Sequence, residues 1–354
     1  MNDNRSPFAD QKVPFPDAVY ATRTTKRLGE ALVPGAGLGA LTTPVSWVGR
    51  MQATVKPRPF DKIVGLAVVG SHAGGYAAGD DDPAPGLDSG AALVSLLAER
   101  AGVSLDVVKV GESAATEDGP ALADDQYFEA LERGARLADS AIDSGADLIV
   151  LCGLGAGTTA AAIAVASHMT RTPPVELSPR LLRPGGLIDD ASWMTRTAAI
   201  RDTFARLDSP KRDAPTALTE IGGAVLATAA AVIVGAALRR TPLLLDGPVG
   251  FAAALVARDF SLGAPKWSYA PDRIPHPVVD KAAKQIGMPD PLGFGLDIGE
   301  GCAAMNAVPL LQDALRLADQ LPFPEEPQEA EEEPGEEPPA DDDAHKGEDP
   351  STMA

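Results

Sequence analysis

Two cysteines and four histidines are all that a chain of 354 residues offers in thiol and imidazole metal ligands. Cys152 and Cys302 lie 150 positions apart, with no CxxC and no Cys/His spacing that would hold zinc. No metal and no cofactor is expected. So few thiols fit a reducing compartment, with one long-range disulfide as the other arrangement the count permits. Aromatic residues are scarce, at 5%. A core of Ala, Gly and Val suits close helix–sheet packing better than an aromatic-filled β-sandwich. Positive charge is short as well: 30 Lys and Arg stand against 50 Asp and Glu, a net charge of −20. That balance excludes non-specific binding to nucleic acid or to an anionic membrane as the main activity. The opening stretch, MNDNRSPFADQKVPFPDAVY, has acids and prolines where a signal peptide needs an apolar run. The only membrane candidate, Ile221–Leu238, is 18 uncharged residues with just seven Val, Ile or Leu. It reads as a buried core helix. No membrane association is expected, and the chain reads as cytoplasmic.

The acidity is concentrated at one end. From Leu321 to Ala354 there are 13 Asp/Glu and one Lys, so this stretch holds −12 and the other 320 residues hold −8. Residues 322–354 include seven prolines and no hydrophobic period, a composition that reads as a disordered tail. Truncation after Phe323 is therefore expected to leave the melting temperature within a few degrees of the full chain, with some loss of solubility. A larger drop in a thermal melt would mean that the tail docks. Residues 1–30 also read as loosely ordered.

Between the ends, apolar strands alternate with Ala-rich helical stretches. Strands are expected at Ile63–Gly70, Leu105–Val110, Asp147–Cys152 and Pro242–Leu245. Helices are expected at Ser89–Ala101, Asp124–Ser144, Thr158–His168, Thr216–Arg240 and Val249–Arg258. The alternation points to an α/β fold with a parallel sheet covered on both faces. Ligands in such sheets bind beyond the carboxyl ends of the strands.

The strongest local signal is DLIVLC-GLGAG-TTAAAIAVA: a strand, three glycines in five residues, and a helix start. Gly155 and Gly157 would let the backbone approach a ligand. Thr158 and Thr159 would open a helix whose free N–H groups favour phosphate or carboxylate. No Lys follows, so this is not a Walker loop, and the dinucleotide spacing is incomplete. A tight turn without a ligand is the competing reading. A second glycine site, LGFGLDIGEGCAAM, sets Glu300 between Gly299 and Gly301. A carboxylate held there suits general-base work if burial raises its pKa; a solvated helix-start acid is the alternative. In PGGLIDD, Asp189 and Asp190 read either as metal or hydroxyl ligands or as N-caps of a helix through Trp193. Asp246 ends a strand, a position where function often sits, though turn chemistry alone would explain it. His72 follows the first strand directly, and a structural role is its commoner one.

Taken in order, these segments resemble the nicotinate-nucleotide–dimethylbenzimidazole phosphoribosyltransferase family of cobalamin lower-ligand synthesis, from about Gly37 to Leu321. GLGALTTPVSWVGRMQATVKPRP is similar to the family's L-G-x-L … W-x-x-x-x-Q segment. VVGSHAGG stands at A-G-D-H-G-V, GLGAGTTAAA at G-E-M-G-I-G-N-T-T-A-A, and PGGLIDD at R-G-T-G-I-D-D. ALTEIGGAVLATAAAVIVGAALRRTPLLLDGPVG resembles the long E-V-G-G … V-L-D-G-F stretch, and GLDIGEGCAA stands at G-L-R-L-G-E-G-T-G-A-A.

The resemblance implies a Rossmann-like parallel sheet wrapped by helices, with a small helical domain built from both chain ends, and a homodimer. On that division, 31–60 and 301–321 belong to the small domain and 61–300 to the catalytic one. The implied reaction has a benzimidazole nitrogen attack the anomeric carbon of nicotinate mononucleotide, releasing nicotinate and forming α-ribazole 5′-phosphate. Glu300 matches the general base. Gly155, Gly157, Thr158, Thr159, Gly185, Gly186 and Arg196 match groups around the nucleotide, and Ser71 and His72 fall in the base pocket. Several positions depart from the pattern. Cys152 stands where the family has a second functional Glu, Gly157 where it has Asn, and Asp297 where it has Arg. Arg196 replaces a Lys, and the segment after GSHAGGYAAG is short. A transferase for a different base and a non-catalytic nucleotide-binding or regulatory relative are the other two readings.

Overall fold

The computed structural model describes residues 7–8, 11–35, 37–80, 86–183, 185–207 and 210–324. The acidic run from 325 onward and Pro184 of PGGLIDD lie outside the described residues. Helices α1 (Ala18–Gly29) and α2 (Thr42–Met51) precede strand β1 (Ile63–His72). Helix α3 (Leu93–Ala101), β2 (Ser104–Ser113), α4 (Asp124–Asp143), β3 (Leu148–Leu154) and α5 (Thr158–Thr170) follow. A single turn, α6 (Pro174–Leu177), leads into the hairpin of β4 (Leu182–Arg183) and β5 (Leu187–Ile188), then α7 (Asp190–Arg206). The last part runs α8 (Ala214–Thr216), α9 (Gly223–Leu238), β6 (Leu243–Leu244), α10 (Gly247–Phe260), β7 (Ser268–Tyr269), α11 (Pro277–Ile286) and α12 (Cys302–Gln320).

The main sheet is parallel throughout, in the order β2-β1-β3-β6-β7. Chain order reverses direction between β1 and β3, and the crevice above such a reversal is where doubly wound sheets bind ligands. Strands β1 and β3 are almost wholly buried because helices cover both faces, whereas β2 lies at the edge with Val107 exposed. Their apolar runs carry no alternation for that reason.

The uncharged run that passes for a membrane span lies inside the fold. Over Ala214–Leu238, 94% of the most apolar 18-residue window is buried. It is a core helix, as its Ala-rich composition implies. It is not uniform, because Ala217–Gly222 widens into a π-helical turn before α9 begins at Gly223. That wider turn leaves the Gly222 carbonyl 3.2 Å from His72 Nε2.

For the described residues 11–30 the structure corrects the loosely ordered reading of 1–30. Asp17 caps α1 by accepting from Val19 N–H, and α1 buries Thr24 and Leu28. The chain before it is tied down by Arg50, which donates twice to Pro16 O, and by Trp267 Nε1, which donates to Pro14 O at 2.7 Å. The partners of these carbonyls lie 34 and 253 positions away, beyond the reach of local composition. The segment from Arg27 to Phe60 also meets the one from Gln312 to Pro322. Gln312 of α12 exchanges two hydrogen bonds with the Phe60 backbone, Arg27 donates to Ala318 O, and Leu32 N–H donates to Pro322 O at 2.7 Å.

Candidate active site

The carboxyl ends of β1, β3 and β6 converge, and the glycine loop after β3 is pressed onto the end of β1. Gly155 has φ +139, and a Cβ built on it would lie 1.4 Å from Gly70 O. His72 N–H closes the contact by donating to Ala156 O at 2.9 Å. Gly157 is the left-handed N-cap of α5. Its own missing Cβ faces His72 and Ala77, not open solvent, so at this position the close approach is between two parts of the chain.

The donors expected for phosphate are largely engaged. Thr158 is buried, and its hydroxyl donates to Gly155 O at 2.7 Å. Gly157 N–H donates to Asp80 Oδ2 at 2.9 Å, and Arg196 pairs with the other Asp80 oxygen while its Nε donates to Ala78 O at 2.5 Å. Thr159 remains partly exposed. With Arg196, Trp193, His276 and Asp297 it lines a cavity of about 320 Å³. A second cavity of about 830 Å³ opens at the opposite end of α5, around His168, Arg171 and Phe204, and none of the expected site residues lines it.

Glu300 sits above the β3–β6 boundary. Its Oε1 accepts from Val249 N–H in the first turn of α10 at 2.6 Å. Its Oε2 is enclosed and has no hydrogen-bond partner. Although the residue as a whole is partly exposed, the carboxyl end is packed against Gly247, whose absent Cβ would otherwise overlap it. Burial pushes this carboxyl well above the ordinary glutamate range, and the neighbouring Asp246 pushes it the same way. Asp246 is itself pushed up to about 6 by burial, even though its Oδ2 accepts from Ala303 and Ala304 N–H at the start of α12. Its Oδ1 is enclosed and unpartnered. Two acids with enclosed, unengaged oxygens therefore stand together, and burial with a like neighbour opposes ionisation of Glu300.

Beneath them lies Cys152, fully buried. A Cβ on Gly301 would approach its sulfur to 2.1 Å, so the small side chain and the missing one fit each other. Cys152 and Cys302 are both free. Burial raises both thiols, Cys302 to about 12, so neither is a ready thiolate nucleophile. Among the described residues, no group of three or more His, Cys, Asp or Glu is placed to hold a metal ion.

Of the remaining expected residues, His72 packs against the glycine loop and the others lie away from Glu300. His72 is 2% exposed and tilted against Tyr76, and burial lowers it to about 4. It is neutral at physiological pH and holds the π-turn carbonyl. Ser71 reaches Glu112 at the sheet edge. Gly185 and Gly186 form the exposed turn of the β4–β5 hairpin. Asp189 is the N-cap of α7, accepting from Ser192 N–H, and that bond together with Arg183 pulls it down to about 2. Asp190 pairs with Arg180. The capping reading therefore holds for Asp189. Sequence reasoning missed Asp80, which lies in no motif, and His276, whose Nδ1 caps α11 by accepting from Val278 N–H. A strand-end acid was legible at Asp246, but its contact with the start of α12 was not.

The phosphoribosyltransferase family model matches residues 13–327. A nicotinate-nucleotide–dimethylbenzimidazole phosphoribosyltransferase from Mycobacterium ulcerans (strain Agy99) is 32% identical over 326 residues, which is 85% of this chain and 89% of the relative. One from Corynebacterium glutamicum (strain R) is 30% identical over 330 residues, covering 88% and 91%. Among solved structures, CobT from Thermus thermophilus superposes with a TM-score of 0.77 at 23% identity, covering 86% of this chain and 97% of that one. The shared fold is the parallel sheet with its flanking helices.

Proposed function

The chain belongs to the nicotinate-nucleotide–dimethylbenzimidazole phosphoribosyltransferase family, and on that premise we propose that it forms α-ribazole 5′-phosphate from nicotinate mononucleotide and a benzimidazole, in cobalamin lower-ligand synthesis. The unprotonated ring nitrogen of the benzimidazole attacks the anomeric carbon. The bond to the nicotinate nitrogen breaks, its electron pair returns to the pyridinium ring, and nicotinate leaves. The other benzimidazole nitrogen gives its proton to Glu300.

The observation that carries this reading is the asymmetry of the Glu300 carboxyl. One oxygen is anchored by Val249 N–H, which fixes its direction. The other is enclosed and unengaged, and the raised pKa makes it a stronger base than a solvated glutamate. Asp246 supports this by disfavouring a second negative charge nearby. In this reading Thr159 and Arg196 receive the nucleotide in the cavity that Asp297, three residues before Glu300, also lines. The test is direct: the purified protein is incubated with nicotinate mononucleotide and 5,6-dimethylbenzimidazole, and nicotinate release is followed. Binding without release would reduce the chain to a nucleotide-binding relative.

The pH dependence follows from the sign of the shift. Glu300 must be ionised to accept a proton, so kcat/KM is expected to rise with pH along a single-proton limb. The limb should lie well above the ordinary glutamate value of about 4.3. A rate already flat down to pH 5 would contradict it.

In this reading the protein acts in the cytoplasm as a homodimer whose small helical domain, 31–60 with 301–321, is built on α2 and α12. Leu182, Leu187, Ile188 and Met194 are 61–71% exposed around the hairpin and the start of α7, an apolar surface suited to cover by a second copy. Sedimentation at micromolar concentration should return twice the chain mass of 36.4 kDa.

A further inference from the structure

We propose that Asp80 is an internal occupant of the nucleotide-phosphate subsite, so that the substrate's phosphate binds by displacing the Asp80 carboxylate. The proposal rests on the reading of the α5 N-terminus and Arg196 as that subsite. Gly157 N–H points from the start of α5 and is met by Asp80 Oδ2 at 2.9 Å. Arg196, 9% exposed, pairs with Asp80 Oδ1, and its Nε is held on Ala78 O at 2.5 Å. An amide and a guanidinium that would attract a phosphate are thus already answered by a carboxylate. The chain is pressed into this position: Gly79 has φ +81, and a Cβ there would come within 2.8 Å of Ser192 Cβ on α7.

The contact is accessible from the Asp80 side, while the Arg196 guanidinium is buried behind it. The Asp80 side chain is 28% exposed and the Arg196 side chain 10%, and Arg196 lines the cavity that Thr159 faces. A phosphate monoester carries a charge of about −1.5 to −2 and three strong acceptor oxygens, so it can outcompete a singly charged carboxylate for the same two donors. The riboside lacks the phosphate, and its one anionic group, the nicotinate carboxylate, is only singly charged like Asp80 itself. Asp80 therefore lowers affinity for every anion and makes the subsite selective for the more highly charged one. This sets it apart from a brace, which would hold Arg196 and the loop in place for the substrate.

The experiment compares wild type, Asp80→Asn and Asp80→Ala in the full chain. Calorimetric titration with inorganic phosphate, nicotinate mononucleotide and its riboside is run beside steady-state turnover. Asn keeps the shape and an acceptor while removing the charge. Both variants are expected to bind inorganic phosphate and the mononucleotide about tenfold more tightly, with riboside affinity unchanged. The KM for the mononucleotide should fall in parallel. Unchanged or weaker phosphate binding in Asp80→Asn, with its melting temperature retained, would make Asp80 a brace and overturn the proposal. Tighter phosphate binding in the variants alongside a wild type that releases no nicotinate would uphold the role of Asp80 and sink the transferase reading. Active wild type with a raised KM in Asp80→Asn would do the reverse.

Discussion

Glu300→Gln is expected to cut turnover about 10²–10⁴-fold, the usual worth of a positioned general base, while gaining in relative thermal stability as pH rises. Gln keeps an oxygen for Val249 N–H, so the anchor at 2.6 Å survives, but it has no basic lone pair to offer. The stability half follows from linkage. Burial raises the folded-state pKa of Glu300, so its neutral form is the one the fold prefers. That contribution is complete below the unfolded value of about 4.3 and is lost as pH climbs through the folded value. Above it, the wild type holds an ionised carboxylate beside Asp246, whereas the Gln variant does not. The difference in melting temperature between variant and wild type should therefore shift in favour of the variant as pH rises through the folded-state value of Glu300. Turnover within about threefold of wild type would remove Glu300 from the role. Lost activity with a pH-independent difference in melting temperature would show that its carboxyl is solvated rather than enclosed.

The second large effect is structural. Gly155→Ala is expected to destabilise the fold by about 3–5 kcal/mol, combining overpacking with backbone strain. In a domain of this size each kcal/mol moves the melting temperature by about 2–4 °C, so the drop should exceed about 6 °C or leave the protein insoluble. The added methyl would fall 1.4 Å from Gly70 O, and relieving it means separating the ends of β1 and β3, the two strands that frame the crevice. Gly293→Ala is the control. Gly293 has a similar left-handed requirement, φ +81, but nothing within 4 Å of its absent Cβ, so only about 1 kcal/mol should be lost. Equal melting temperatures for the two variants would show that the loop is not packed on β1.

The helices Asp124–Asp143 and Thr158–Thr170 and the central strands were legible because each declares itself locally, through period, length and glycine punctuation. Strand β7 and the β4–β5 hairpin were not. Each of these strands is only two residues long, too short to show a period, and exists because a neighbour supplies its hydrogen bonds. Helix α1 was hidden for a related reason: its polar composition looks loose until Arg50 and Trp267 take up the carbonyls before it.

For the site, the residue types and their loops could be read along the chain: a carboxylate between glycines, and a glycine loop opening a helix. The chain alone also determined the acidic balance and the place of the apolar run in the core. What only the tertiary structure decided is which of these groups are free to act. Thr158 spends its hydroxyl on its own loop, His72 is a buried brace, and Gly157 and Arg196 are held by Asp80. The pKa of Glu300 was undetermined until α10 and Asp246 closed around it. A side chain's type is written in one position, but its burial, charge neighbours and spare lone pairs depend on segments tens to hundreds of residues away, which meet only when the sheet assembles.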